Sequence, residues 1–346
     1  MSIFPLFVPT SSHSSLLEWW FTSNPLISNT TKHAAFKVSS ILDLIPHSSI
    51  LTSGFEFHHY DPSLYPDYLV FLPSIQLSQL PSTSLPSWWS SYIHTLSSSS
   101  HNSSFSLIPE NWLEFDFIDP NLVLNGLWQR VSEPTRSFDF NSWRQLAKSI
   151  SGSFISSELL VNHSVITKLI EFFSLPQQLG LMHGRTHNLK LLFQLDSPTC
   201  IENFHTFISS SCEEISHVFT PISQYFLSHG DILHPAISID INLRSNFLSP
   251  NNISIEIHQE HQIGRNLLPE SEHFLSSILN VPEVQLTSLS VLLNYLPYGE
   301  SFSFADSNRS NLENISRLNH LKVQFKNNFW HLKSYVKLIQ TISNCQ

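Results

Sequence analysis

Apolar and polar residues alternate in short runs along this chain, and the runs come in pairs. LTSGFEFHHY is followed by PDYLVFLPSI, GLMHG by NLKLLFQL, AISIDINL by ISIEIHQE, and LNHLKVQF by HLKSYVKLIQ. A further copy begins at ENWLEFDF but lacks an equally clear second strand. Successive side chains of a strand point to opposite faces, so each run predicts one apolar and one polar face. Ile237, Ile239, Ile241 and Leu243 oppose Ser238, Asp240, Asn242 and Arg244, and Ile253, Ile255 and Ile257 oppose Ser254, Glu256, His258 and Glu260. Near the end, Leu332, Ser334, Val336 and Leu338 oppose His331, Lys333, Tyr335 and Lys337, while Lys322 alternates with Leu321 and Val323. Glu114 and Asp116 oppose Leu113, Phe115 and Phe117.

Between the hairpins the apolar period lengthens to that of a helix. Leu159, Ile166, Ile170 and Phe173 form one stripe; Ile201, Phe204, Phe207 and Ile208 a second; Ile215, Val218, Phe219, Ile222 and Phe226 a third; Leu289, Leu292, Leu293 and Leu296 a fourth. Five hairpins supply about ten strands, near the size at which an open sheet curls or closes. An open antiparallel sheet with one solvated face would show the same alternation, but it leaves two edges to protect. The expected fold is α+β: a ten-stranded antiparallel β-barrel built from five ββα repeats, with helices outside and the polar faces lining a lumen. The serine-rich run Leu96 to Ser104 reads as a surface loop, and residues 1–346 as a single domain.

Composition narrows the function classes. The formal charge is -10 with only 17 Lys plus Arg, so no general basic surface exists for a nucleic-acid partner. Cys200, Cys212 and Cys345 show no CxxC spacing, which favours a reduced, cytoplasmic setting. No run approaches the about 18 uninterrupted apolar residues of a membrane span, and the N-terminus carries no basic start of a signal peptide. Neither a Gly-x-Ser-x-Gly elbow nor a phosphate-cradling glycine loop is present, which gives nucleophilic catalysis little support and sets aside nucleotide hydrolysis and nicotinamide chemistry.

Five hairpin-plus-helix units over most of the chain resemble the PT-barrel, or ABBA, superfamily of aromatic prenyltransferases. The residue match lies at Lys333-Ser334-Tyr335, which is similar to the Lys-x-Tyr pairs that such enzymes place on barrel strands. WLEFD and HLKSYVKL also resemble segments of bacterial proteins, which points to a divergent bacterial branch. The resemblance implies a transferase of natural-product biosynthesis that moves an allylic group from a prenyl diphosphate to an aromatic or peptide-derived acceptor. Allylic diphosphate is then the co-substrate, with Mg2+ admissible but not required. Lys333, Tyr335 and Lys337 would bind the diphosphate, joined by Lys322, Lys190 and Arg244 from their positions on the polar faces. Glu114, with Asp116 beside it, would accept the proton as the acceptor attacks.

Other readings stay open from the residues themselves. Asp240, Glu256 and Glu260 put negative charge on the same faces, and Asp240, Glu256 and His258 could together hold a divalent metal in a hydrolase or metal-dependent tailoring enzyme. A barrel that binds a hydrophobic small molecule or a peptide without catalysis would need none of this chemistry.

Overall fold

The computed structural model describes residues 12–44, 50–61, 65–73, 110–130, 164–173, 176–182, 189–242, 245, 247–258, 267–296, 300–303 and 310–344. The strands are β1 (Ile50–His58), β2 (Asp67–Pro73), β3 (Glu110–Ile118), β4 (Asn121–Arg130), β5 (Gln178–Met182), β6 (Leu189–Gln194), β7 (Pro235–Ile241), β8 (Ile253–His258), β9 (Glu300–Ser303), β10 (Ser310–Lys326) and β11 (Phe329–Asn344). Strands β1 to β8 pair in sequence, β8 pairs with β10, β10 with β11, and β11 returns to β1. Every pairing is antiparallel. The circuit makes a nearly closed ten-stranded antiparallel barrel, as the paired runs predict, and it removes the free edges of an open sheet. Strand β9 lies outside that circuit, against Asn311–Asn314 of β10.

The second strand that ENWLEFDF lacked in the sequence is β4. It follows a turn with a cis Asp119–Pro120 bond, and a register shift opposite Glu114 and Phe115 inserts Asn125 as an extra residue. Leu124 therefore packs outward, whereas Gly126 and Trp128, also even-numbered, belong to the lumenal face, so the simple alternation is lost. The β10–β11 hairpin turns through Asn327 and Asn328 at φ 52 and 65, a left-handed pair that asparagine tolerates better than most residues.

Among the described residues are seven helices: α1 (His13–Ser23), α2 (Asn29–Leu42), α3 (Ser164–Phe173), α4 (Pro198–Ser209), α5 (Glu213–Leu233), α6 (Pro269–His273) and α7 (Glu283–Asn294). The predicted stripes fall on them. Ile201, Phe204, Phe207 and Ile208 are buried on α4, and Ile215, Phe219, Ile222 and Phe226 on α5. They meet the outer face of the barrel: Phe173 lies 5.2 Å from Phe193 of β6, and Phe219 meets Trp330 of β11 edge-on at 5.7 Å. The periodicity did not reach α1 and α2, whose Trp20 stacks on Phe55 of β1 at 4.7 Å. Each such fully buried aromatic contributes roughly 1.5–3 kcal/mol, so the jacket supplies much of the core.

Helix α4 starts where the Ser197 side chain accepts the Cys200 N–H and Pro198 takes the first turn. Helix α5 stops at left-handed His234 and passes directly into β7. No helix among the described residues is long and apolar enough to cross a membrane. Leu96 to Ser104, Leu159, Leu243, Arg244, Glu260 and Cys345 lie outside the described residues.

Candidate functional site

The barrel's polar faces turn inward and converge on a cavity of about 280 Å³, lined among others by Trp112, Trp128, Glu256, His258, His320, Lys322, Tyr335 and Lys337. Cross-strand register decides which of them meet. Lys190 stands opposite Asp240, Lys322 opposite Glu256, and His320 opposite both His258 and Tyr335. Adjacent residues on one face of an antiparallel pair have Cβ atoms about 5 Å apart, close enough for ion pairs to form without long reaches.

The lumenal lysines expected from the alternation are there, and three are tied to carboxylates. Lys322 Nζ donates to Glu256 Oε1 at 2.9 Å and to Ser238 Oγ at 3.2 Å, and Lys190 Nζ lies 3.8 Å from Asp240 Oδ1. Lys333 forms a charge-assisted hydrogen bond with Glu56. Burial alone would raise the Glu256 carboxyl, but Lys322, His320 and His258 hold it at about 2. Burial would lower the Lys322 and Lys333 ammonium groups, yet Glu256 and Glu56 hold them above the ordinary lysine value. Lys337 sits 5.9 Å over the Trp112 ring. The expected cation wall is therefore a set of ion pairs plus a cation on an indole.

Tyr335, the second member of the Lys-x-Tyr pair, faces the same lumen and stacks on His320 with ring centroids 4.0 Å apart. His320 in turn lies 5.2 Å from His258, and both approach Glu256 Oε2, at 3.8 and 4.0 Å. Burial drives the His320 imidazole down to about 3, so it is neutral near pH 7. Asp240 joins Lys190 on the β6–β7 side, while His320 takes the place beside Glu256 and His258 that the sequence reading gave to Asp240.

Glu114 and Asp116 both reach the lumenal face, with separate partners. Trp128 Nε1 donates to Glu114 Oε2 at 2.7 Å, and Asn125 Nδ2 donates to Asp116 Oδ2 at 3.2 Å. Two glycines make room for this arrangement: a Cβ on Gly126 would meet Glu114 Cβ at 2.8 Å, and one on Gly180 would meet three carbons of the Trp128 ring at 2.9–3.0 Å. The ammonium groups of Lys190 and Lys322 lie 5.5 and 5.8 Å from the same ring.

Sequence reasoning gave no site role to Glu56, His58, Asp67, Trp128 or His320. The signal for the first two was present in LTSGFEFHHY, where Gly54, Glu56 and His58 alternate with Phe55 and Phe57. His58 Nε2 lies 2.9 Å from Asp67 Oδ2 and 3.7 Å from Glu56 Oε1. His59, one residue on, is a satisfied core histidine between Ser288 Oγ and Ser334 Oγ, which burial holds at about 3. Glu56, His58 and Asp67 each offer a ligand atom, all within 4.8 Å of one another, which makes them the described residues best placed to hold a metal. No protein-family model matches this sequence and no curated protein matches it.

Proposed function

We propose that the lumen is a reaction chamber in which an allylic group passes from a prenyl diphosphate to an aromatic or peptide-derived acceptor, the reaction implied by the PT-barrel resemblance. The surroundings of Trp128 carry this reading. Its ring has the Lys190 and Lys322 ammonium groups 5.5 and 5.8 Å away, and its N–H holds Glu114 at 2.7 Å. An indole face that accommodates ammonium groups also suits an allyl cation, and a walled cavity keeps water from that cation.

In the proposed step the allylic C–O bond breaks and the diphosphate leaves with the electron pair. Lys322, Lys333 and Lys337 stabilise it, the first two by exchanging Glu256 and Glu56 for phosphate oxygens. The acceptor carbon forms the new C–C bond, and its proton passes to the Glu114 carboxylate. Calorimetry with dimethylallyl and geranyl diphosphate tests the donor half. Saturable binding is expected, weakened by on the order of 1.5–3 kcal/mol in Lys322→Ala and in Lys333→Ala, and unchanged in Glu114→Gln. Absence of binding to the wild-type protein removes the transferase reading.

The ion pairs Lys190–Asp240, Lys322–Glu256 and Lys333–Glu56 favour a second reading. A lumen that presents both signs of charge beside indoles suits a zwitterionic, peptide-like ligand held without group transfer. Saturable binding of short aromatic peptides with no product formed from either diphosphate would support it.

A further inference from the structure

Glu56 and His58 sit two residues apart on β1, and Asp67 stands opposite Glu56 on β2, so all three turn to one region of the lumen. We infer that Glu56, His58 and Asp67 form a binding site for a divalent transition-metal ion of the Zn2+ or Co2+ class. His58 Nε2, Asp67 Oδ2 and Glu56 Oε1 face one another, with His58 Nε2 2.9 Å from Asp67 and 3.7 Å from Glu56. Ligand atoms about 2.0–2.2 Å from a tetrahedral ion stand roughly 3.3–3.6 Å apart, so the His58–Asp67 pair would open by about half an ångström while the Glu56 oxygen, within 4.8 Å of both, draws in.

Two of the atoms that would not bind the metal already have partners. His58 Nδ1 is 3.1 Å from the Tyr60 hydroxyl, and the Phe117 backbone N–H donates to Asp67 Oδ1 at 2.8 Å. Hydrogen bonds of this kind fix the orientation of a ligating imidazole and of a ligating carboxylate. They leave His58 Nε2 and Asp67 Oδ2 turned toward each other and toward Glu56.

Charge supplies an independent argument. Glu56 and Asp67 are buried, at 2% and 8% exposure, and the fields of Glu114 and Asp116 on β3 add to theirs. Lys333 is the ammonium that touches Glu56. Among the described residues one ammonium stands against two buried carboxylates, which leaves a positive charge to be supplied, either by a proton held between His58 and Asp67 or by an ion. An imidazole with two carboxylates selects first-row transition divalents over Mg2+, which retains water and oxygen ligands. Because Lys333 bonds the same Glu56 oxygen, lysine and ion compete for it.

The test uses the full chain, stripped with a chelator and dialysed against Co2+ or Zn2+ alone, with no diphosphate present; its outcome is therefore separate from that of the transfer reading. One ion per chain is expected, with visible Co2+ absorption bands. His58→Ala, the closer-shaped His58→Gln and Asp67→Asn should each abolish it, and Tyr60→Phe should weaken it about tenfold. Lys333→Met should bind about tenfold tighter or more, since a like charge at short range is removed, and Zn2+ should restore thermal stability to that variant. His258→Ala should bind as wild type does. Retention of the ion in both His58 variants, its loss in His258→Ala, no binding by the wild-type chain, or no gain in Lys333→Met would each overturn the site and leave the proton-held pair as the reading. Circular dichroism of each variant separates loss of the ion from loss of the fold.

Discussion

Trp128 and Glu114 are diagonal neighbours across the β3–β4 pair, joined by an N–H···O bond of 2.7 Å inside the barrel. Glu114 is 3% exposed, so its carboxylate has little water to fall back on. Trp128→Phe keeps an aromatic ring but deletes the donor, and should cost about 1.5–3 kcal/mol in urea unfolding, the worth of one hydrogen bond to a charged group. Glu114→Gln, which removes the charge as well, should cost less. A Trp128→Phe protein as stable as wild type would show that something other than the indole holds Glu114.

The lumenal ion pairs make a sharper prediction about sign. Lys322 and Glu256 are 5% exposed each and in contact at 2.9 Å. Lys322→Met leaves a buried charge without its partner and should destabilise by about 3–5 kcal/mol. Combining it with Glu256→Leu removes both charges and should return most of that loss or exceed wild-type stability. Denaturant midpoints of the two single variants and the double variant form the cycle that checks this, and additive losses would contradict it.

The barrel was legible in the sequence because a half-buried strand writes its two faces as alternation, and β1, β7, β8 and β11 do so almost without interruption, as does β10 from His320 onward, past a register shift at Asn319. β4 was not, because the Asn125 bulge shifts its inward set by one position. The same logic divides the site. Lys322, Lys333, Tyr335 and Glu114 could be assigned a face from their own strands. That Lys333 would meet Glu56, or that His320 would join Glu256, depends on the register between strands distant in the chain, which no local pattern encodes. Trp128 was hidden for both reasons at once, since it follows the bulge and owes its place to Gly180 on the next strand.

Gly180 offers a direct probe of that place. A methyl group there would lie 2.9–3.0 Å from three carbons of the Trp128 ring, a broad rigid group rather than the tip of a flexible chain. Gly180→Ala should therefore destabilise by about 1–3 kcal/mol through overpacking and displace the indole from Glu114. The cost should shrink in the Trp128→Leu background. An unchanged penalty there would locate the strain in the backbone instead.

Stability should fall as the solution is acidified, in two stages with different owners. Burial holds His320 and His59 at about 3 in the folded chain against 6.5 in the ordinary state. Below pH 6.5 the unfolded chain takes up protons that the native histidines refuse, so each contributes a loss of about 1.4 kcal/mol per pH unit, continuing until the pH nears 3. Glu256 is held at about 2, chiefly by Lys322 acting against the effect of burial, so its contribution is complete above pH 4.5 and is lost only between there and about 2. Unfolding free energies measured from pH 7 to pH 5 should thus decline with a slope that His320→Gln and His59→Gln each reduce and Glu256→Gln leaves alone. A flat profile over that range would mean that both imidazoles accept protons in the native barrel, and so that water reaches the stack of His320 on Tyr335.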